Sequence, residues 1–194
     1  EWFLGKGSIE SFRAAWNTRL GSALPESIIT APGHPCPPDL APALTSLHEA
    51  QGIELARLHD CVEKTYSQRN AAWWGQRYTA GDPLRILVLT SRFSTFVRHS
   101  AADLAGAFTR LGHLAAVHTE PDNHSRESTL GTLRAVAELE PDLVVLVNFQ
   151  RSACGPGVPA NVPFVCWVQD AMPHLLAPAT DKGPLDFVVG HLLP

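Results

Sequence analysis

The sequence has no long hydrophobic run and no excess of basic residues. None of its apolar segments approaches the roughly 18 consecutive apolar residues that a membrane-spanning helix needs. Its 15 Lys and Arg residues are outnumbered by 19 Asp and Glu, which gives a net charge of -4. Most nucleic-acid affinity comes from clustered basic side chains. We therefore expect neither a membrane span nor a nucleic-acid partner.

Cysteine is also scarce. The four cysteines form no Cys-x-x-Cys pair, and none has a neighbouring histidine or cysteine at the spacing of a zinc knuckle. The sequence thus predicts neither a metal site nor a disulfide framework, and a reducing cytoplasm is the expected location. A chain of 194 residues can bury a sufficient core without such cross-links.

The signature motifs of several enzyme classes are missing. The loop after the first predicted strand contains no glycine, so the Gly-x-Gly-x-x-Gly motif of NAD and FAD domains is absent. There is no Walker A loop and no Gly-x-Ser-x-Gly elbow. The third predicted strand ends in Asn148, where a receiver domain would carry its phosphorylated aspartate. These absences disfavour a dehydrogenase, an ATPase, a receiver and a hydrolase, and we expect no resident cofactor.

The sequence divides into two predicted units at TAGDP, residues 79–83. Residues 1–80 are predicted to form a helical extension, in which a helix at residues 8–20 precedes a linker with six prolines between Pro25 and Pro42. A long helix from Ala41 to Arg77, weakened near Gly52, is predicted to follow. We favour an antiparallel helical pair that caps the second unit. The alternative is an oligomerisation helix, which would make the chain a homo-oligomer.

The second unit, residues 81–194, alternates short apolar runs with helical patterns. The predicted strands are residues 84–90, 114–118, 143–149, 163–168 and 187–190, and the predicted helices are residues 101–111 and about 125–138. Strands that alternate with helices in this way form a doubly wound, mainly parallel, Rossmann-like α/β sheet.

Polar side chains follow several of these strands, where ligands bind in open α/β sheets. Asp170 and His174, after the fourth strand, are candidate catalytic residues, because either side chain can act as a general base. Asp170 could instead only cap the turn before Pro173, and His174 could be structural. The candidate substrate-binding residues are Ser91, Arg92, Phe93, His99, Asn148 and Gln169.

Three segments resemble the N-terminal Rossmann-like half of GT-B glycosyltransferases, most nearly the bacterial proteins related to spore-coat maturation. They are LRILVLTSRFSTFVRHSAADLAGAFTRLGH, EPDLVVLVNF and VPFVCWVQDAMPHL, within residues 84 to about 191. The stretch from Trp167 to Asp170 carries most of the resemblance. The glycine-rich first loop of many such domains is replaced by Ser91-Arg92-Phe93.

The resemblance implies transfer of a glycosyl group from a nucleotide sugar to a hydroxyl acceptor without a bound metal. The acceptor would lie on this half, and the nucleotide sugar would bind mainly to a C-terminal Rossmann-like domain. Since the sequence begins at Glu1 without methionine and stops at Pro194, we expect a piece of a longer protein that is catalytically incomplete by itself. The alternative is a non-catalytic binding or scaffold module whose long helix contacts a partner.

Overall fold

The structure, a computed structural model, describes residues 41–120, 128–170 and 183–190. Within these ranges, five parallel strands form one sheet in the order β2-β1-β3-β4-β5, with helices on both faces. The elements, in chain order, are α1 (Ala41–Tyr66), α2 (Ala71–Thr79), β1 (Arg85–Leu89), α3 (Thr95–Arg110), β2 (Leu114–His118), α4 (Thr129–Leu139), β3 (Leu143–Val147), a 3-10 helix (Arg151–Gly157), β4 (Phe164–Val168) and β5 (Asp186–Gly190). The predicted Rossmann-like α/β class is confirmed.

The central strands are apolar on both faces because both faces are covered. On one face, Leu87 and Leu89 of β1 pack in a large core that includes α1, α2 and α4. On the other face, Ile86 and Val88 pack against α3 in a smaller core. The nearly continuous apolar runs of β1 and β3 are therefore those of parallel strands buried on both sides.

The helices before the sheet belong to the larger core. The predicted apolar face of α1 is turned inward, with Leu47, Leu58 and Val62 each no more than 4% exposed. The predicted single helix from Ala41 to Arg77 is wrong in one respect, because the chain leaves the helix after Tyr66 and starts α2 at Ala71. Asn70 explains the restart, since its Oδ1 accepts a hydrogen bond from the Trp73 amide at 3.0 Å and caps α2.

Asp142, between α4 and β3, ties α2 to the sheet. Its side chain is 1% exposed and receives the Arg77 guanidinium at 2.9 Å and the Arg85 amide at 2.8 Å. Its backbone carbonyl accepts a hydrogen bond from the Tyr78 hydroxyl at 2.7 Å. Burial raises the pKa of Tyr78 to about 12, so this phenol remains a donor at neutral pH. The Pro141-Asp142 pair that introduces β3 is therefore a structural anchor.

Other boundaries differ from prediction by a few residues. Helix α3 begins at Thr95, six residues before the predicted start, because Ser94 adopts an extended conformation and the chain turns into the helix there. The predicted helix at residues 8–20, the proline-rich linker up to residue 40 and His174 lie outside the described residues. The last proline assigned to the linker, Pro42, instead lies in the first turn of α1, where the missing backbone donor has no helical partner to lose. Within the part of the chain that the structure describes, no helix combines the length and apolar character required to cross a membrane.

Candidate functional site

A cavity of about 430 Å³ opens at the carboxyl ends of β1 and β3. β1 and β3 are neighbours in the sheet, whereas β2, which follows β1 in the chain, lies on the opposite side of β1. The cavity therefore lies at the point where the strand order reverses, which is where doubly wound sheets bind ligands. Its volume is in the range of about 300–1,000 Å³ that is typical of small-molecule sites. The described lining residues are Thr90, Ser91, Ser94, Val97, Glu120, Leu146, Val147, Asn148, Phe149, Ala153, Cys154 and Asp170.

Glu120, after β2, organises the loop that leaves β1. Its carboxylate is 4% exposed and accepts hydrogen bonds from the Ser91 hydroxyl at 2.7 Å, the Arg92 amide at 2.7 Å and the Thr119 hydroxyl at 2.9 Å. Burial opposes ionisation, but these hydrogen bonds outweigh it and hold the pKa of Glu120 below its ordinary value of 4.5. An ionised carboxylate thus forms one wall of the cavity at neutral pH.

Asn148 joins the ends of β3 and β4. It has a φ of 63°, a left-handed conformation that asparagine tolerates better than most residues. Its Oδ1 accepts hydrogen bonds from the amides of Gln169 at 2.8 Å and Asp170 at 3.3 Å. Its Nδ2 donates to Oδ2 of Asp170 at 2.6 Å. The Asp170 carboxylate is consequently held at the cavity by a side chain that is itself buried.

Thr90 follows β1 and is 1% exposed. Its backbone amide continues the sheet by donating to the His118 carbonyl at 3.1 Å. Its hydroxyl oxygen is buried and has no hydrogen-bond partner among the residues the structure describes. The same holds for Oε1 of Gln169 within the described ranges. Such groups are rare, since folded proteins pair the large majority of their buried polar side-chain atoms.

The structure brings three of the predicted site residues together at the cavity: Ser91, Asn148 and Asp170. Arg92 contributes its backbone amide to Glu120, and Gln169 contributes its amide to Asn148, but neither belongs to the described cavity lining. Phe93 is 59% exposed, and His99 is exposed on α3. The described lining includes neither of them.

Thr90 and Glu120 line the cavity but are not among the predicted site residues. The signal for both is their position after a strand, since Thr90 directly follows β1 and Glu120 is the second residue after β2. Arg151 follows β3 and could supply a positive charge at the carboxyl ends of the strands. Its guanidinium instead contacts β5, where Nε donates a hydrogen bond to Asp186 at 2.7 Å. No basic residue is among the described residues that line the cavity.

Comparison with known proteins identifies no relative. No protein-family model, curated protein or solved structure matches this chain.

Proposed function

We propose that this chain is the acceptor-side domain of a glycosyltransferase, which moves a glycosyl group from a nucleotide sugar to a hydroxyl acceptor. The observation that carries the proposal is the Asn148-Asp170 hydrogen bond of 2.6 Å, which fixes a carboxylate at the switch-point cavity. A carboxylate fixed beside a cavity of this size is suited to accept a proton from a bound hydroxyl.

In this proposal Asp170 is the general base. Its Oδ2 is bound by Asn148, and within the described residues Oδ1 has no hydrogen bond, so Oδ1 is available to the acceptor. As the acceptor oxygen attacks the anomeric carbon, its proton passes to Asp170. The bond from that carbon to the phosphate oxygen breaks, and the nucleoside diphosphate leaves with the bonding electrons. The donor would be held mainly by a second Rossmann-like domain.

Glu120 has a different role in this proposal. Its oxygens already accept three hydrogen bonds from Ser91, Arg92 and Thr119, so it holds the β1–α3 loop and is less suited to take up a proton. In this proposal Glu120 positions the loop and Asp170 accepts the proton, because the two carboxylates differ in the number of hydrogen bonds they already accept. His174, the second candidate base, lies outside the described residues.

The alternative, a scaffold that uses its long helix to bind a partner, has less support. Leu58 and Val62 of α1 are each 3% exposed and Tyr66 is 1% exposed, because they pack in the chain's own core. Little of the apolar face of α1 is left for another protein.

The test is a transfer assay with the native gene product, a panel of nucleotide sugars, and sugar acceptors. Asp170→Asn should lower kcat by about 10²- to 10⁴-fold, the usual contribution of a general base. Asp103→Asn, on the exposed surface of α3, removes a charge from the same domain and should leave kcat unchanged. Wild-type turnover in Asp170→Asn would remove this residue from catalysis, and the absence of transfer from every donor would refute the proposal.

A further inference from the structure

The buried hydroxyl of Thr90 indicates what the cavity binds. A buried donor or acceptor without a partner is destabilising, and folded proteins rarely retain one. Thr90 lines the cavity, and its hydroxyl has no partner within the described ranges. A group that enters the cavity is therefore the natural partner of this hydroxyl.

The charges around the cavity restrict that group. Glu120 and Asp170 both line it, whereas the lining that the structure describes contains no lysine, arginine or histidine. A phosphoryl group carries about two negative charges at neutral pH. Among the described lining residues it would face two carboxylates and no cation, and one of these carboxylates, Glu120, is buried, where solvent screens the repulsion weakly. The cavity is thus unsuited to a phosphorylated ligand.

The two carboxylates do not require a cationic ligand. Glu120 is the buried carboxylate of the pair, and its charge is stabilised by hydrogen bonds from two hydroxyls and one amide. Asp170, which is exposed, receives a hydrogen bond from Asn148. This polar wall can therefore bind hydroxyl groups without an ammonium group on the ligand.

Another part of the lining is apolar. Val97 of α3, Leu146 and Val147 of β3, and Phe149 just after β3 form this part of the cavity. Phe149 is 53% exposed, so its ring is accessible to a ligand. A sugar ring combines hydroxyl groups at its edge with apolar C–H faces, and it matches a cavity that has a polar and an apolar wall.

We propose that the cavity binds an uncharged sugar ring and that the hydroxyl of Thr90 is a specificity-determining contact with one of its hydroxyl groups. This inference rests on the proposed function and names the acceptor class: a neutral sugar that is not phosphorylated at the bound ring.

The test measures the Kd values of the native gene product for methyl glycosides of common hexoses, for the 6-phosphates of the same hexoses and for the corresponding amino sugars. At least one methyl glycoside should bind saturably, and its 6-phosphate should bind at least tenfold more weakly. Failure of every methyl glycoside to bind would overturn the inference. A 6-phosphate that binds equally well, or an amino sugar that binds more than tenfold tighter, would also overturn it.

Two variants test the role of Thr90. Thr90→Val keeps the shape of the side chain and should weaken glycoside binding about tenfold, which corresponds to one hydrogen bond. Thr90→Ser keeps the hydroxyl and should bind within about threefold of wild type. Since the hydroxyl makes no hydrogen bond to the described protein, Thr90→Val should melt no lower than wild type. Unchanged affinity in Thr90→Val would overturn the assignment, and the ligand comparison above decides the acceptor class even if that variant fails to fold.

The two proposals fail separately. Transfer to phosphorylated and neutral acceptors at equal rates would refute this inference and leave the transferase proposal intact. Selective binding of neutral glycosides without transfer from any donor would refute the transferase proposal and leave this inference intact.

Discussion

Among single residues, Glu120 stabilises the loop that follows β1. In many Rossmann-like folds this loop is rich in glycine, because residues without a side chain allow a tight bend. Here the loop contains Ser91 and Arg92, and it is held by hydrogen bonds to a buried carboxylate. The loop is therefore stabilised by an ionised side chain from another strand, which makes its stability dependent on pH.

Glu120→Gln should reduce the free energy of unfolding by about 1–3 kcal/mol at pH 7, because the amide replaces one acceptor oxygen with a donor. The folded pKa of Glu120 is lowered, so its contribution is complete above the ordinary value of 4.5 and disappears as the pH falls through the folded value. Urea denaturation from pH 3 to pH 7 measures this difference. A gap between wild type and variant that stays constant below pH 4.5 would contradict the assignment.

At the scale of elements, α2 is fastened to the sheet by a charge pair whose acid is completely buried. Arg77 reaches two aspartates: Asp142, which is 1% exposed, at 2.9 Å, and Asp82, which is 75% exposed, at 4.0 Å. Exposed pairs contribute little to stability, whereas breaking a buried pair leaves an uncompensated charge. The two aspartates therefore form a matched comparison.

Asp142→Ala should cost about 3 kcal/mol, and Asp82→Ala less than about 0.5 kcal/mol, although each removes one negative charge beside Arg77. Chemical denaturation of the two variants measures the difference. Equal losses would mean that the contact between α2 and the sheet does not depend on the buried pair.

The elements also show how far the sequence predicts this structure. The sequence predicts β1 and β3 because each is a continuous apolar run, a pattern that follows from burial on both faces. The break between α1 and α2 is not predicted, although the polar residues 67–70 interrupt the apolar face, because the cap by Asn70 is a single side-chain contact. The position of Glu120 after β2 is visible in the sequence, but its hydrogen bonds to the loop after β1 depend on β1 and β2 being neighbours, which no local pattern encodes.

At the scale of the whole molecule, the described helices before the sheet and the sheet itself share one core. Leu58, Val62 and Trp74 pack in the same cluster as Leu87 and Val144 of the central strands. Tyr66 and Trp74 add hydrogen bonds to the carbonyls of Pro141 and Asn161, at 2.9 Å and 2.8 Å. We therefore expect residues 41–79 to unfold together with the sheet.

Leu58→Ala should destabilise the entire fold by about 2–5 kcal/mol, the usual cost of a buried leucine truncation. Ile53→Ala, on the same helix but 73% exposed, should change stability by less than about 0.5 kcal/mol. Tryptophan fluorescence and far-ultraviolet circular dichroism should give coincident transitions for both variants. A separate early transition in Leu58→Ala, with the sheet unaffected, would show that α1 is an independent unit.

The switch-point cavity is the proposed ligand site of this chain. Titration of the ¹⁵N-labelled protein with a neutral methyl glycoside, followed through amide chemical shifts, tests this site. We expect saturable shifts that cluster at Thr90, Ser91, Asn148 and Asp170, with little change at the exposed strand β5. Shifts that cluster at β5, or no saturable shift with any neutral glycoside, would contradict it.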